Sequence, residues 1–412
     1  MKREFAIGIA CAGLLGGLAA CSAVDQDPQV AGRGEHPSES AQALDLRSDR
    51  PAAAAVGVLV DATPTLPAEH ALRATRQLWL FACSSDHVLQ RRVRADRFAK
   101  WSDWSVESAT PCAGTPSASA WSLSPRDSVE VVYRSTDNRL IELAYQGDQA
   151  ARETDLSAYA HFGKLASNCN PVIADMGNEQ RVSIAVRNPE NQLFALTAFD
   201  RTWHIQPARG ANGAQVFAES TLVAWYSNQS ALLSAVHDGV AQTFHRSSWK
   251  QGFRAFNGPV PAEASHGLIT FSNYQGHLQA VGRTADGTLV SSPIDGQWSF
   301  TPAPAHSQVQ STVSLAAPFA YRNGTSPNTA ALGIALEDAN RATFVSGFNF
   351  FQQVSPPAHA DNARVASANT LVANPGPELW GDNFVADAND QLMYWNGSTD
   401  KRFTPMGLAV SY

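Results

Sequence analysis

Three kinds of side chain in this sequence carry reactive or binding chemistry: five cysteines, ten tryptophans, and a scatter of acids and histidines. A catalytic set needs fixed spacing, and the chain offers none. No His-Glu-x-x-His pair presents two imidazoles to a metal, and no Gly-x-Ser-x-Gly turn exposes a nucleophile. Ser247-Ser-Trp-Lys250 fits Ser-x-x-Lys but lacks the companion motifs. Glycoside hydrolysis needs two carboxylates held across a cleft, and no motif pairs any two acids. The cysteines lack metal-ligand spacing. The expectation is a protein that is not an enzyme and holds no metal or cofactor. Tryptophan remains: an indole face stacks on a sugar ring while nearby amides and hydroxyls bond its hydroxyls. Trp104, Trp380 and Trp395 fall outside the repeated position described below and are the candidate ligand platforms. Cys112, in Thr-Pro-Cys-Ala-Gly, and Cys169, in Asn-Cys-Asn-Pro, sit in loop-like sequence and form the expected disulfide. Cys83 lies in an apolar strand and reads as a buried thiol.

The N-terminus has a different logic. Lys2 and Arg3 precede an apolar or small run from Phe5, which ends in Leu18-Ala19-Ala20-Cys21. The run is too short and Gly-rich to rest as a spanning helix. The arrangement resembles the bacterial lipoprotein signal, in which a lipobox is cut before its cysteine. The resemblance implies a signal peptide at 1–20 and acyl chains, palmitate among them, on Cys21. Several chains anchor stably where one does so marginally. Ser22 in place of aspartate implies the outer membrane as the destination, with the face left open. Residues 21–70 are then the lipidated cysteine and a flexible tether rich in Ser, Ala, Gln, Asp and Gly. Within this stretch Ala53 to Val60 reads as a helix or a first strand.

A net charge of −7 without any Lys/Arg block argues against nucleic acid as a partner. Only 16% of residues are charged while 44% are hydrophobic, the balance of many short strands with Ser, Thr, Asn and Gln outside.

The elements repeat. From residue 76 a strand, a polar turn and a second strand recur, with turns at 86, 137, 190, 238, 286, 339 and 389, so that successive turns lie 48 to 53 residues apart. Asp-Gly, Asp-Asn and Asn-Asp supply the positive φ of tight hairpins. A large apolar residue follows each turn (Trp101, Leu156, Trp203, Trp249, Trp298, Phe350, Phe403), and a further apolar run precedes most of them, as in Thr221 to Trp225 or Leu268 to Phe271. Four short antiparallel strands repeated seven times predict an all-β domain at 71–412, a seven-bladed β-propeller of four-stranded blades. Stacked β-sandwiches are the alternative, which the single-unit period disfavours. The first unit lacks an obvious innermost strand. Either Val56 to Val60 or the C-terminal Leu408 to Tyr412 completes it.

The unit Leu278 to Trp298, with Asp286-Gly-Thr-Leu at its turn, is similar to the repeats of seven-bladed bacterial fucose-binding lectins and tectonin-type propellers. The resemblance covers 76–412 in pattern. It implies shallow monosaccharide pockets within or between blades, built from aromatic faces beside Arg, Asn and Ser donors. Because the copies have diverged, one or two sites at most, or none, are expected rather than seven. Two functions follow: a membrane-anchored envelope lectin, or a non-catalytic platform that docks an envelope protein.

Overall fold

The computed structural model describes residues 52–59 and, with short breaks, 76–210; from there to 380 chiefly the strands; and 381–396 and 402–412. Lipidation at Cys21 and the platform Trp380 lie outside the described residues.

The described residues form seven four-stranded antiparallel sheets, each a simple meander in chain order. Sheet 1 is Ala54–Leu59, Arg76–Cys83, Leu89–Arg94 and Ser105–Val106. Sheet 2 is Cys112–Trp121, Ser128–Ser135, Leu140–Gln146 and Arg152–Asp155. Sheet 3 is Val172–Asp175, Val182–Arg187, Leu193–Phe199 and Thr202–Pro207. Sheets 4, 5 and 6 begin at Val223, His266 and Phe319. Sheet 7 is Thr370–Ala373, Gly381–Ala386, Gln391–Asn396 and Thr404–Ala409. Four strands per unit, as the period predicts, is what the chain forms.

The turns explain the register. In four units a residue with a short polar side chain opens the turn: Ser84, Ser135, Asn188 and Asp387. Its side-chain oxygen accepts from the backbone N–H four residues on, at 3.1, 2.8, 2.8 and 2.9 Å. The residue before that donor takes a positive φ of 60 to 66°: His87, Asn138, Asn191 and Asp390. Asn and Asp tolerate this region best, which is why the turns are legible in sequence.

The second strand of sheet 1 shows where the core sits. Trp79, Phe81 and Cys83 pack towards sheet 2, with Leu89, Val129, Tyr133, Ile141 and Leu143. The alternate residues Leu78, Leu80 and Ala82 pack towards sheet 7, with Phe384, Leu392 and Met406. A strand buried on both faces reads as one continuous apolar run, here Leu-Trp-Leu-Phe-Ala-Cys. Sheets 2 and 3 meet in a third cluster that includes Leu140, Ile184, Leu193 and Leu196 and reaches Phe244 of sheet 4 and Phe253 just before its last strand. First strands also touch in chain order: Ala54–Leu59 contacts Cys112–Trp121 on one side and Thr370–Ala373 on the other.

Ala54–Leu59 therefore belongs to sheet 1, although its sequence places it within the expected tether and ahead of a domain starting at 71. It pairs with Arg76–Cys83 over its whole length. The C-terminal alternative does something else. Thr404–Ala409 is the outer strand of sheet 7, and the residues after it clasp the first turn: Ser85 N–H donates to Ala409 O at 2.9 Å and Ser411 N–H to Cys83 O at 2.9 Å.

Candidate functional site

Of the tryptophans expected to bind a ligand, Trp395 is core and Trp104 is half-buried against sheet 7. Trp395 is fully buried, its ring 5.5 Å from Phe403. It lies eight residues past Asp387, the place that Leu143 and Leu196 fill in sheets 2 and 3, so its strand face is core in those copies as well. Trp104 is half-buried; its indole N–H donates to Met406 O at 2.9 Å, and the Arg92 guanidinium lies 5.4 Å from its ring. It ties sheet 1 to sheet 7.

The disulfide also differs from expectation. Cys83 pairs with Cys112, their Cα atoms 5.9 Å apart, and Cys169 is a buried free thiol. Cys83 is the last residue of its strand and Cys112 the first of sheet 2, so the fold brings them together. Cys169 accepts from Arg187 N–H at 3.3 Å, and burial pushes its thiol up.

The cleft between sheets 1 and 2 is not announced by any sequence motif. Trp79 and Tyr145 project from facing strands, ring centroids 5.3 Å apart and edge to face. The Arg91 guanidinium lies 4.3 Å from the Trp79 ring and 5.1 Å from the Tyr145 ring. Each such contact contributes about 0.5–2 kcal/mol, more as water is excluded. Arg91 Nε is 3.1 Å from Glu107 Oε1, and its side chain stays 22% exposed. No protein acceptor for its terminal nitrogens occurs among the described residues, so they are free to donate outward. Glu107 is held from three sides, since Tyr145 Oη donates to it at 2.7 Å and Ser105 Oγ at 2.6 Å. Burial and the Glu107 carboxylate hold the Tyr145 phenol well above its usual range. Beyond Glu107, Ser108 Oγ donates to Glu153 at 2.6 Å and lies 2.7 Å from Tyr133 Oη; Thr110 Oγ1 also donates to Glu153. Burial raises Tyr133 to about 12, so it stays a neutral hydroxyl. The cleft thus has two aromatic rings, a clamped arginine and two oriented carboxylates beside hydroxyls. Trp79 and Tyr145 are buried and form the floor that fixes the arginine, so what this edge can offer a polyhydroxylated ligand is the arginine as donor and the carboxylates and hydroxyls as acceptors.

The same register places are filled differently elsewhere. Seven residues past the turn opener stand Arg91, Glu142, Ala195 and Tyr394 in sheets 1, 2, 3 and 7. Ten past it stand Arg94, Tyr145 and Ala198 in sheets 1, 2 and 3. Between sheets 7 and 1 the Arg and Tyr exchange places: Tyr394 takes the position of Arg91, Arg94 that of Tyr145, and Asp382 that of Trp79. Arg94 then pairs with Asp382 and donates to Tyr394 Oη at 2.7 Å, with side-chain exposures of only 5% and 2% for the ion pair. One gap is a sealed structural seam. The related pair between sheets 1 and 2, Arg91 with Glu107, is less deeply buried.

No family model matches this chain, and no curated protein does so by sequence. Its fold is that of propeller lectins. The BP39L lectin from Burkholderia pseudomallei superposes with a TM-score of 0.57 at 13% identity, over 85% of this chain and 97% of that one. The Aleuria aurantia lectin, solved with α-methyl-L-fucoside, reaches 0.48 at 11% identity over 88% and 96%. The Aleuria lectin is described as a six-bladed β-propeller.

Proposed function

We propose that this chain is a seven-bladed β-propeller lectin that takes a neutral glycan between its first and second blades, held at the outer membrane through lipid on Cys21. Seven sheets and the contact of the first blade with both the second and the seventh support a closed ring. The observation that carries the binding reading is Arg91, clamped by Trp79, Tyr145 and Glu107 with its terminal nitrogens open. The likeness of the repeats to those of fucose-binding lectins makes a deoxyhexose the first ligand to test. Glu107 and Glu153 disfavour uronates, sialates and phosphorylated sugars, since like charge is costly in a partly desolvated cleft. A shallow site of this kind gives a Kd of roughly millimolar to tens of micromolar, or about 4–6 kcal/mol.

A microarray of neutral and acidic glycans tests this. Retention of neutral α-linked deoxyhexosides with no acidic glycan is the expected result. If no glycan is retained, the envelope-docking platform replaces it. That second reading is favoured by Val106, which is 68% exposed beside the cleft.

A further inference from the structure

We propose that the Cys83–Cys112 disulfide is a redox latch on the cleft between sheets 1 and 2. Oxidised, it holds the connector bearing Glu107, Ser108 and Thr110 against Arg91; reduced, it lets that connector lift, and the cleft loses its ligand.

The bond lies where such a latch must. It joins the end of a sheet 1 strand to the start of sheet 2, at a sequence separation of 29. Arg91, Glu107, Ser108 and Thr110 all fall within the loop that it closes. Between Val106 and Cys112 the connector belongs to no strand. Its backbone ties are few: Glu107 N–H to Leu89 O at 3.0 Å, Cys112 N–H to His87 O at 2.9 Å, and Thr136 N–H to Pro111 O at 3.1 Å. Its side-chain ties are the Arg91–Glu107 ion pair and part-buried or exposed hydrogen bonds to Tyr145, Tyr133 and Glu153, each worth about 0.5–3 kcal/mol. The covalent bond keeps these weak contacts together, and a ligand then meets a cleft whose ordering cost has already been met.

The opposite side of sheet 1 is held without it. Among the described residues, Cys169 is unpaired and no second disulfide occurs. The seam between sheets 7 and 1 is held by hydrogen bonds and a buried ion pair. Reduction is a two-electron exchange. A dithiol reductant attacks one sulfur, the S–S bond breaks, the reductant closes to its own disulfide, and Cys83 and Cys112 each leave as a thiol. Both residues are fully buried, so a reductant reaches them in brief local openings that the bond limits without abolishing, and the reduced pair no longer draws the connector back.

The identity of the ligand rests on the glycan reading, whereas the latch does not. Two readouts on the intact protein, oxidised and then reduced with dithiothreitol, keep them apart. Hydrogen exchange should quicken at least tenfold at the amides of Glu107 and Cys112, and stay unchanged in Leu140–Gln146 and Gly381–Ala386. A Cys83→Ser/Cys112→Ser variant should show the same pattern without reductant. Unchanged exchange at the connector, or faster exchange throughout the domain, overturns the latch. On a neutral-glycan microarray the reduced form should bind at least tenfold more weakly than the oxidised form. Equal binding by both forms overturns the latch and leaves the lectin reading. Binding by neither, with a connector that opens on reduction, supports the latch and overturns the lectin reading.

Discussion

Glu142 fills in sheet 2 the place that Arg91 fills in sheet 1, and there it is almost entirely buried, 3% exposed. Its strand face also carries Glu130 diagonally across the ladder and Arg152 on the neighbouring strand, the charged groups near it among the described residues. Burial raises its carboxyl from 4.5 to about 7, and Arg152 offsets only part of this. A folded-state pKa above the unfolded one means that the folded protein binds the proton more tightly. The stabilisation is complete below pH 4.5 and is lost as the pH rises towards 7. Denaturant unfolding should show stability falling by about 1–3 kcal/mol across that window. Glu142→Gln should remove the fall and be the more stable protein at pH 8. A variant with an unchanged pH profile would show that Glu142 is already paired. In sequence Glu142 reads as one more strand-surface acid, because its burial comes from sheet 3, which packs over it.

At the scale of elements, the turns were legible and the cleft was not. Asn138, Asn191 and Asp390 adopt the positive φ that their residue types announce, and this alone sets the period. Arg91 and Tyr145 lie in different repeats, and no local pattern says that they meet. The usable signal is a comparison of copies: an arginine at a place held by Ala195 in the third copy and an aromatic in the seventh. Trp395 misleads for the converse reason. A tryptophan beside Asn396 looks like a sugar platform until its place is matched to Leu143 and Leu196. The disulfide is hidden because Cys83 ends an apolar strand, and its last residue already faces the next sheet. The seam between sheets 7 and 1 is where the proposed ring closes. Arg94 and Asp382 are both buried, and removing one charge strands the other. Asp382→Asn should cost about 3–5 kcal/mol in chemical denaturation, the usual penalty for breaking a buried pair. Asp86→Asn, at an exposed turn, should cost less than about 0.5 kcal/mol. Equal small losses would mean that the seam is not what closes the ring.

At the scale of the molecule, sheet 1 buries both faces on its neighbours, and the last strand of sheet 7 returns to the first turn, with Ser411 bonded to Cys83 and Ala409 to Ser85. In the proposed ring, divergence among the copies leaves the proposed glycan site in one gap. That differs from a multivalent lectin with like pockets all round. The proposed anchor sets where the ring works. Cys21→Ser should abolish incorporation of labelled fatty acid that the wild type shows, and an unlabelled wild type would remove the anchor from the account. The central claim is that the Arg91 cleft is the glycan site. Calorimetric titration of methyl α-L-fucoside into the wild type and Arg91→Ala tests it most directly. A Kd of roughly millimolar to tens of micromolar for the wild type, with no measurable heat of binding and an unchanged melting temperature for Arg91→Ala, is the predicted result. Equal binding by the two proteins, or none by either, would contradict it.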